Sequence, residues 1–259
     1  MSSENKKAVK PKRGIYLLPN LFTTGALFSG FYAVISAISG HYEAAAVAIF
    51  IAMVLDGLDG RIARLTNTAT EFGVQYDSLA DMISFGLAPA LVVYLWALQD
   101  LGKLGWLAAF IYTAGAALRL ARFNTQVEVA DKRFFQGLPS PSAAALMAST
   151  VWMGVDYSIE GKNFIALALL ISIICGVLMV SNFRYYSFKD LDLKGKVPFV
   201  AMLLVVLIFV FISIDPPKVL FFIFMVYVFS GPVMTVILLR RKRAERRQAT
   251  EQDQSEHPK

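Results

Sequence analysis

The chain has 259 residues, 56% of them hydrophobic and 17% charged, and a mean hydropathy of +0.56. That leaves too little polar surface to clothe a soluble domain of this length, so the formal charge of +6 reads as a matter of membrane orientation rather than of nucleic-acid binding. One cysteine, Cys175, excludes an intrachain disulfide.

A basic, polar arm over 1–14 opens the chain, without the small-residue cleavage site of a secretion signal after the apolar run that follows it. The membrane domain is expected over 15–239. Its long apolar runs predict an all-α polytopic membrane bundle with eight spans, over 15–39, 43–62, 77–98, 103–122, 139–155, 163–182, 197–214 and 217–239. Each is near the ~20 residues a helix needs to cross the hydrocarbon. The fifth is short and rich in Ala and Ser, the composition of a helix packed among helices. The tail over 240–259 begins RRKRAERR and ends polar and partly acidic; it is expected to anchor the topology and to lack regular structure.

An even number of spans puts both termini on one side. With that side cytoplasmic, the external loops hold only Lys103, Lys162 and Lys218, and the other 22 of the 25 Lys and Arg face the cytoplasm. This is the bias that sets orientation. The cytoplasmic loops over 123–138 and 183–196 are the longest and are candidates to cover a site.

The informative stretch joins the second and third spans. Asp56 and Asp59 are three residues apart on one helix, and Asp77 and Asp81 are four apart on the next. Both spacings place the pair on one helical face. A short connection makes the two helices antiparallel neighbours, so the acidic faces can meet. Asp56 lies about 21 Å along its helix from Tyr42, below the cytoplasmic headgroups, where an isolated charge costs several kcal/mol. Four carboxylates there require cations. His41 and His257 are out of reach and Cys175 is alone, so the ligands are oxygens and the ions hard: Mg²⁺ or Mn²⁺, not zinc. Two such ions can clamp a phosphoryl group. Gly60 and Gly73 let a phosphate approach the backbone, and Arg64 can neutralise a diphosphate. The plain alternative has these acids capping helices or forming surface pairs; another has them lining a cation pathway, as in a transporter or channel.

The stretch resembles the signature of the CDP-alcohol phosphotransferase family, D-x2-D-G-x2-A-R-x8-G-x3-D-x3-D, met here by Asp56, Asp59, Gly60, Ala63, Arg64, Gly73, Asp77 and Asp81. The resemblance implies that Asp56, Asp59 and Asp77 are metal ligands, that Asp81 touches a metal and acts as general base, and that Gly60, Arg64 and Thr70 contact a CDP-linked lipid, with Ala63 and Gly73 beside them. It implies a six-helix core around a cavity open to cytoplasm and lipid, and a homodimer. Two additional spans, together with Asp77–Pro89, Ala121–Asn124 and Gly137–Pro141, resemble the branch that uses serine as acceptor. The expected reaction moves the phosphatidyl group of CDP-diacylglycerol to L-serine, releasing CMP. Glycerol phosphate, inositol phosphate and choline stay open as acceptors.

A serine carboxylate would need a cation. Arg119, Arg122 and Arg184 are candidates, with Ser84, Asn124 and Asn182 as polar partners; each arginine is equally readable as a topological anchor. Asn20, Thr23 and Thr24, near the start of the first span, are candidates for nucleotide or phosphate contact, with helix capping after Pro19 as the alternative.

Overall fold

The computed structural model describes residues 17–66, 68, 70–125, 134–186 and 199–256. Among them are eight helices, each overlapping one expected span: α1 (Leu17–Ile38), α2 (Tyr42–Thr66), α3 (Glu71–Leu101), α4 (Lys103–Thr125), α5 (Ser140–Asp156), α6 (Gly161–Val180), α7 (Phe199–Ile214) and α8 (Pro216–Glu256). The basic arm over 1–14 and residues 126–133 and 187–198 of the two long loops lie outside the described residues.

The chain forms an integral membrane helical bundle. Five helices are long and apolar enough to cross a bilayer: α1, α3, α4, α6 and the Pro216–Leu238 part of α8. The other three expected spans fall short for plain reasons. α2 carries Asp56, Asp59, Arg61 and Arg64 in its second half, while α5 and α7 have 17 and 16 residues. Large side chains such as Phe28, Phe31, Phe110, Phe209 and Phe222 are exposed on the outside of the bundle, as lipid-facing positions require and a water-facing surface would not tolerate in such number.

Inside, the helices meet through small residues. α1 runs along α2, and Ala26, Ala33 and Ala37 of the first and Ala45, Ala48 and Ala52 of the second are buried. α5 is walled in by α2 and α8, and Ala143, Ala144, Ala145 and Ala148 are fully buried along it. Small side chains let backbones approach, which is the main source of attraction between helices in lipid. α4 and α6 cross closely, and a Cβ on Gly115 would stand 2.4 Å from the carbonyl oxygen of Gly176.

Two elements depart from expectation. α3 starts at Glu71, about a turn and a half before the expected span, because Thr70 caps it: the Thr70 side chain accepts from the Gly73 N–H at 3.0 Å. Past Asp81 the helix widens over Met82–Leu87, and the Ala88 N–H reaches back five residues to Ile83; Pro89 follows directly, and it has no N–H to offer the ordinary ladder. α8 runs on to Glu256, so residues 240–256 of the tail expected to lack regular structure are helical. Its residues from Met234 to Glu256 include neither Pro nor Gly and are rich in helix formers.

A short antiparallel ribbon was not expected at all: β1 (Phe134–Gln136) pairs with β2 (Arg184–Tyr186). Gly137, at φ +80°, turns the chain out of β1 under Met179, where a Cβ would stand 2.3 Å from the Met179 carbonyl oxygen. Tyr185 of β2 is fully buried and donates to the Val228 carbonyl at 2.9 Å, fastening the ribbon to α8.

At the far end of α5 from Ser140, α8 is fastened a second time. The Tyr157 hydroxyl donates to Asp215 Oδ2 at 2.7 Å, and the Lys218 ammonium lies 2.9 Å from the same oxygen. These partners hold the Asp215 carboxyl below its ordinary value, the Tyr157 hydrogen bond first and Lys218 next. A depressed folded-state value gives a contribution that is present above the ordinary carboxylate range and lost as pH falls through it. Asp215→Asn is therefore expected to lower the thermal unfolding temperature at pH 7 in detergent, with the gap to the parent protein closing as pH is lowered below about 3.8. A gap that stays constant from pH 7 to pH 3 would remove this account of the link.

Candidate active site

The acidic residues of α2 and α3 do meet. One carboxylate oxygen from each of Asp56, Asp59 and Asp77 lies within 4.8 Å of the others. The helical periodicity explains it: three residues on α2 and the first turns of α3 bring the carboxylates to the seam between two antiparallel helices. Asp59 is the most enclosed, at 5% exposure, and accepts a hydrogen bond from Thr23 Oγ1 at 2.7 Å. Asp56 and Asp77 are half-buried. Asp81, one turn beyond Asp77, stands outside this close group. Its side chain is within hydrogen-bonding reach of Asp56, with Asp77 and Arg119 near enough to act on it electrostatically.

Three carboxylates at this spacing, facing a partly enclosed seam, make a hard oxygen donor set. They can hold a divalent cation, and their mutual repulsion is relieved when they do. Arg119, from α4, is the nearby positive charge; it donates to Ser140 Oγ at 2.6 Å and lies in electrostatic reach of Asp81 and Asp56.

Beside the triad is a cleft of about 200 Å³, lined by Pro19, Asn20 and Thr23 of α1, by Asp59, Gly60, Ala63 and Arg64 of α2, and by Thr68, Thr70, Gly73, Val74 and Asp77. It brings together all seven residues expected at the CDP-lipid: Gly60, Arg64, Thr70, Ala63, Gly73, Asn20 and Thr23. A Cβ at Gly60 would meet no protein atom within 4 Å, so the glycine keeps the cleft wall low and does not serve helix packing. Gly73 differs: a Cβ there would press on Thr70 Oγ1 at 3.1 Å and Asn20 Oδ1 at 3.4 Å. Arg64 donates from Nε to the Gly60 carbonyl at 2.9 Å and is otherwise exposed at the cleft mouth.

The residues expected at an acceptor divide. Arg119 lies beside Asp81, and Asn124 donates from Nδ2 to Ser78 Oγ at 3.1 Å, next to Asp77. The others are engaged in holding the fold. Ser84 is fully buried and donates to the Ala26 carbonyl at 3.0 Å, in a contact so close that a Cβ on Gly30 would stand 2.7 Å from the Ser84 Cα. Arg122 donates to the Val180 and Ser181 carbonyls at 2.7 and 3.3 Å, capping the end of α6. Asn182 accepts from Gln136 across the ribbon at 2.8 Å. Arg184 is exposed on β2, and its backbone N–H donates to Thr235 Oγ1.

Pro19, Thr68 and Val74 line the cleft without having been singled out from the sequence. Thr68 is buried at 3% and shares a hydrogen bond with Thr66 at 2.7 Å; its only sequence signal was its place in the connection between Arg64 and Thr70.

The sequence model of the CDP-alcohol phosphatidyltransferases matches residues 16–178, more than half of the chain and all four aspartates. The chain belongs to the CDP-alcohol phosphatidyltransferase family. Within that family it is 38% identical over 200 residues to the CDP-diacylglycerol–serine O-phosphatidyltransferase of Helicobacter pylori, covering 77% of this chain and 84% of that one. The protein of the same description from Bacillus subtilis is 34% identical over 174 residues, 66% of this chain and 91% of that one. That from Methanocaldococcus jannaschii is 32% identical over 142 residues, 55% and 63%. The matched region of this phosphatidyltransferase family spans α1 to α6, while α7 and α8 lie wholly beyond it.

Removing one carboxylate from the triad tests its role directly. Asp77→Asn is expected to weaken Mn²⁺ binding to the purified protein, read by calorimetric titration, by more than the about 10–100-fold that losing an outer partner of a ligand costs. Unchanged Mn²⁺ affinity in a folded Asp77→Asn variant would rule the triad out as the cation site.

Proposed function

We propose that the protein transfers the phosphatidyl group of CDP-diacylglycerol to the hydroxyl of L-serine, forming phosphatidylserine and CMP. The observation that carries the reading is the meeting of Asp56, Asp59 and Asp77 beside a cleft lined by the residues of the family signature. Serine as acceptor is supported by the relatives from three distant organisms, each described as a serine O-phosphatidyltransferase.

In this reading the four aspartates hold two Mg²⁺ or Mn²⁺ ions. Such ions supply charge neutralisation on the diphosphate and on the departing CMP. The protein's own residues do the rest. Gly60, Ala63 and Gly73 admit the diphosphate close to the backbone, Arg64 and the capped start of α3 at Thr70 face its charge, and Asn20 offers an amide to the nucleotide side. Asp81 takes the proton of the serine hydroxyl as that oxygen attacks the lipid-attached phosphorus and the bond to CMP breaks. Arg119, beside Asp81, is placed to meet the serine carboxylate, with Asn124 as its polar partner; Ser84, Arg122 and Asn182 keep the structural duties described above, and Arg184 is the remaining cation at the rim. The active site faces the cytoplasm, with both termini on that side, in a bacterial inner membrane, and the protein works as a homodimer.

Three outcomes are expected. Purified enzyme given CDP-diacylglycerol and Mn²⁺ releases CMP with L-serine but not with glycerol phosphate, inositol phosphate or choline; release with one of those and not with serine would replace the acceptor. Asp81→Asn lowers turnover by about 100-fold or more while Mn²⁺ still binds at the Asp56, Asp59 and Asp77 triad, and near-normal turnover would end its assignment as base. Excess chelator stops CMP release, which returns on adding Mg²⁺ or Mn²⁺; a rate indifferent to chelator would defeat the metal-dependent reading.

A further inference from the structure

Thr23 and Thr24 are consecutive on α1, yet their hydroxyls serve different helices. Thr23 Oγ1 donates to Asp59 Oδ2 on α2 at 2.7 Å, in a buried position. Thr24 Oγ1 lies 2.9 Å from the hydroxyl of Tyr76 on α3, the residue before Asp77. The single proton of Thr24 goes to the Asn20 carbonyl at 2.7 Å, so Tyr76 is the donor of the pair. Successive helical residues point about 100° apart, which is how neighbours on one helix can address two flanking ones.

We infer that Thr23 and Thr24 are positioning residues that set the separation of the carboxylates on α2 from those on α3. α1 contributes no carboxylate to the site, but it is the helix against which both acidic faces are registered. The inference rests on the reading that the triad holds divalent ions. It also changes what Thr23 does. Its side chain is 4% exposed, and its one proton has two acceptors within reach, Asp59 Oδ2 at 2.7 Å and the Pro19 carbonyl at 3.2 Å. The nearer acceptor is also the charged one and takes the stronger bond. A hydroxyl spent in this way orients a ligand rather than touching the lipid substrate. α1 and α2 are in close contact at this level: a Cβ on Gly25 would stand 3.2 Å from Leu55.

Threonine hydroxyls in helices commonly bond the carbonyl one turn back; Thr24 does so, and the Pro19 carbonyl is the farther acceptor open to Thr23. A role limited to such bonds affects stability and leaves cation affinity alone. A role in orienting Asp59 and Asp77 affects cation affinity, because outer partners of metal ligands typically account for about 10–100-fold of it.

Thr23→Val keeps the shape and removes the donor. In purified, substrate-free protein titrated with Mn²⁺ alone, with the free aqua ion followed by electron paramagnetic resonance, it is expected to weaken binding about 10–100-fold. Thr23→Ser is expected to restore it. Tyr76→Phe, which cuts the link to α3 and keeps the ring, is expected to weaken binding in the same direction. Thr23→Val binding Mn²⁺ as tightly as the parent overturns the inference; should that variant not fold, a Tyr76→Phe protein with parental affinity does so. A parent protein that binds no Mn²⁺ overturns the metal site itself and this inference with it. A parent that binds, beside variants that bind equally well, removes the threonines' role alone.

Discussion

Carboxylates dislike one another's company, and they dislike low dielectric more. Gathering Asp56, Asp59 and Asp77 within 4.8 Å at the seam of two membrane helices is therefore the constraint to which the surrounding structure answers. α2 gives up the uninterrupted apolar length of a simple span to carry two of these acids together with Arg61 and Arg64. α3 begins early, on the Thr70 cap, so that its first turns rather than its middle reach the seam. α1 supplies hydroxyls instead of charges, and Arg119 brings one guanidinium to the side where Asp81 stands. A divalent cation held by these three carboxylates would complete this balance, which is the physical basis of the metal-dependent reading proposed above.

Much of the site was readable because it is local. Pairs spaced three and four on adjacent helices share faces whatever the rest of the chain does, and the short connection between α2 and α3 left them little freedom in how to meet. The same locality placed Gly60, Ala63, Arg64, Thr70 and Gly73 along one cleft. Helix positions were equally legible, since each apolar run has to satisfy its backbone internally.

What was not legible depends on partners far away in sequence. β1 and β2 have three residues each and are about fifty apart, so neither carries a periodic signal, and only their pairing makes them strands. Arg122 and Arg119 look alike in sequence, both cationic near the end of one helix. Arg122 caps α6 and Arg119 sits by the acids, and only the packing of α4 against α6 and the hydrogen bond from Arg119 to Ser140 of α5 separate the two. Ser84 looked like a polar group available to a substrate, and the close passage of α1 at Gly30 buries it. The end of α8 was misjudged for another reason: strong charge suggested a chain without regular structure, whereas helix propensity carried through.

The alanine-lined interior has a consequence for how this protein can fail. Side chains such as Ala45, Ala52, Ala143 and Ala148 are already at the lower limit of size, so mutation there has almost no volume left to delete. The familiar injury of soluble cores, a hole left by a truncated leucine, is largely closed to these seams. Damage must come from crowding, as an added methyl wedges two helices apart. Variation in this interior should therefore be asymmetric, tolerant of glycine and hostile to every larger residue.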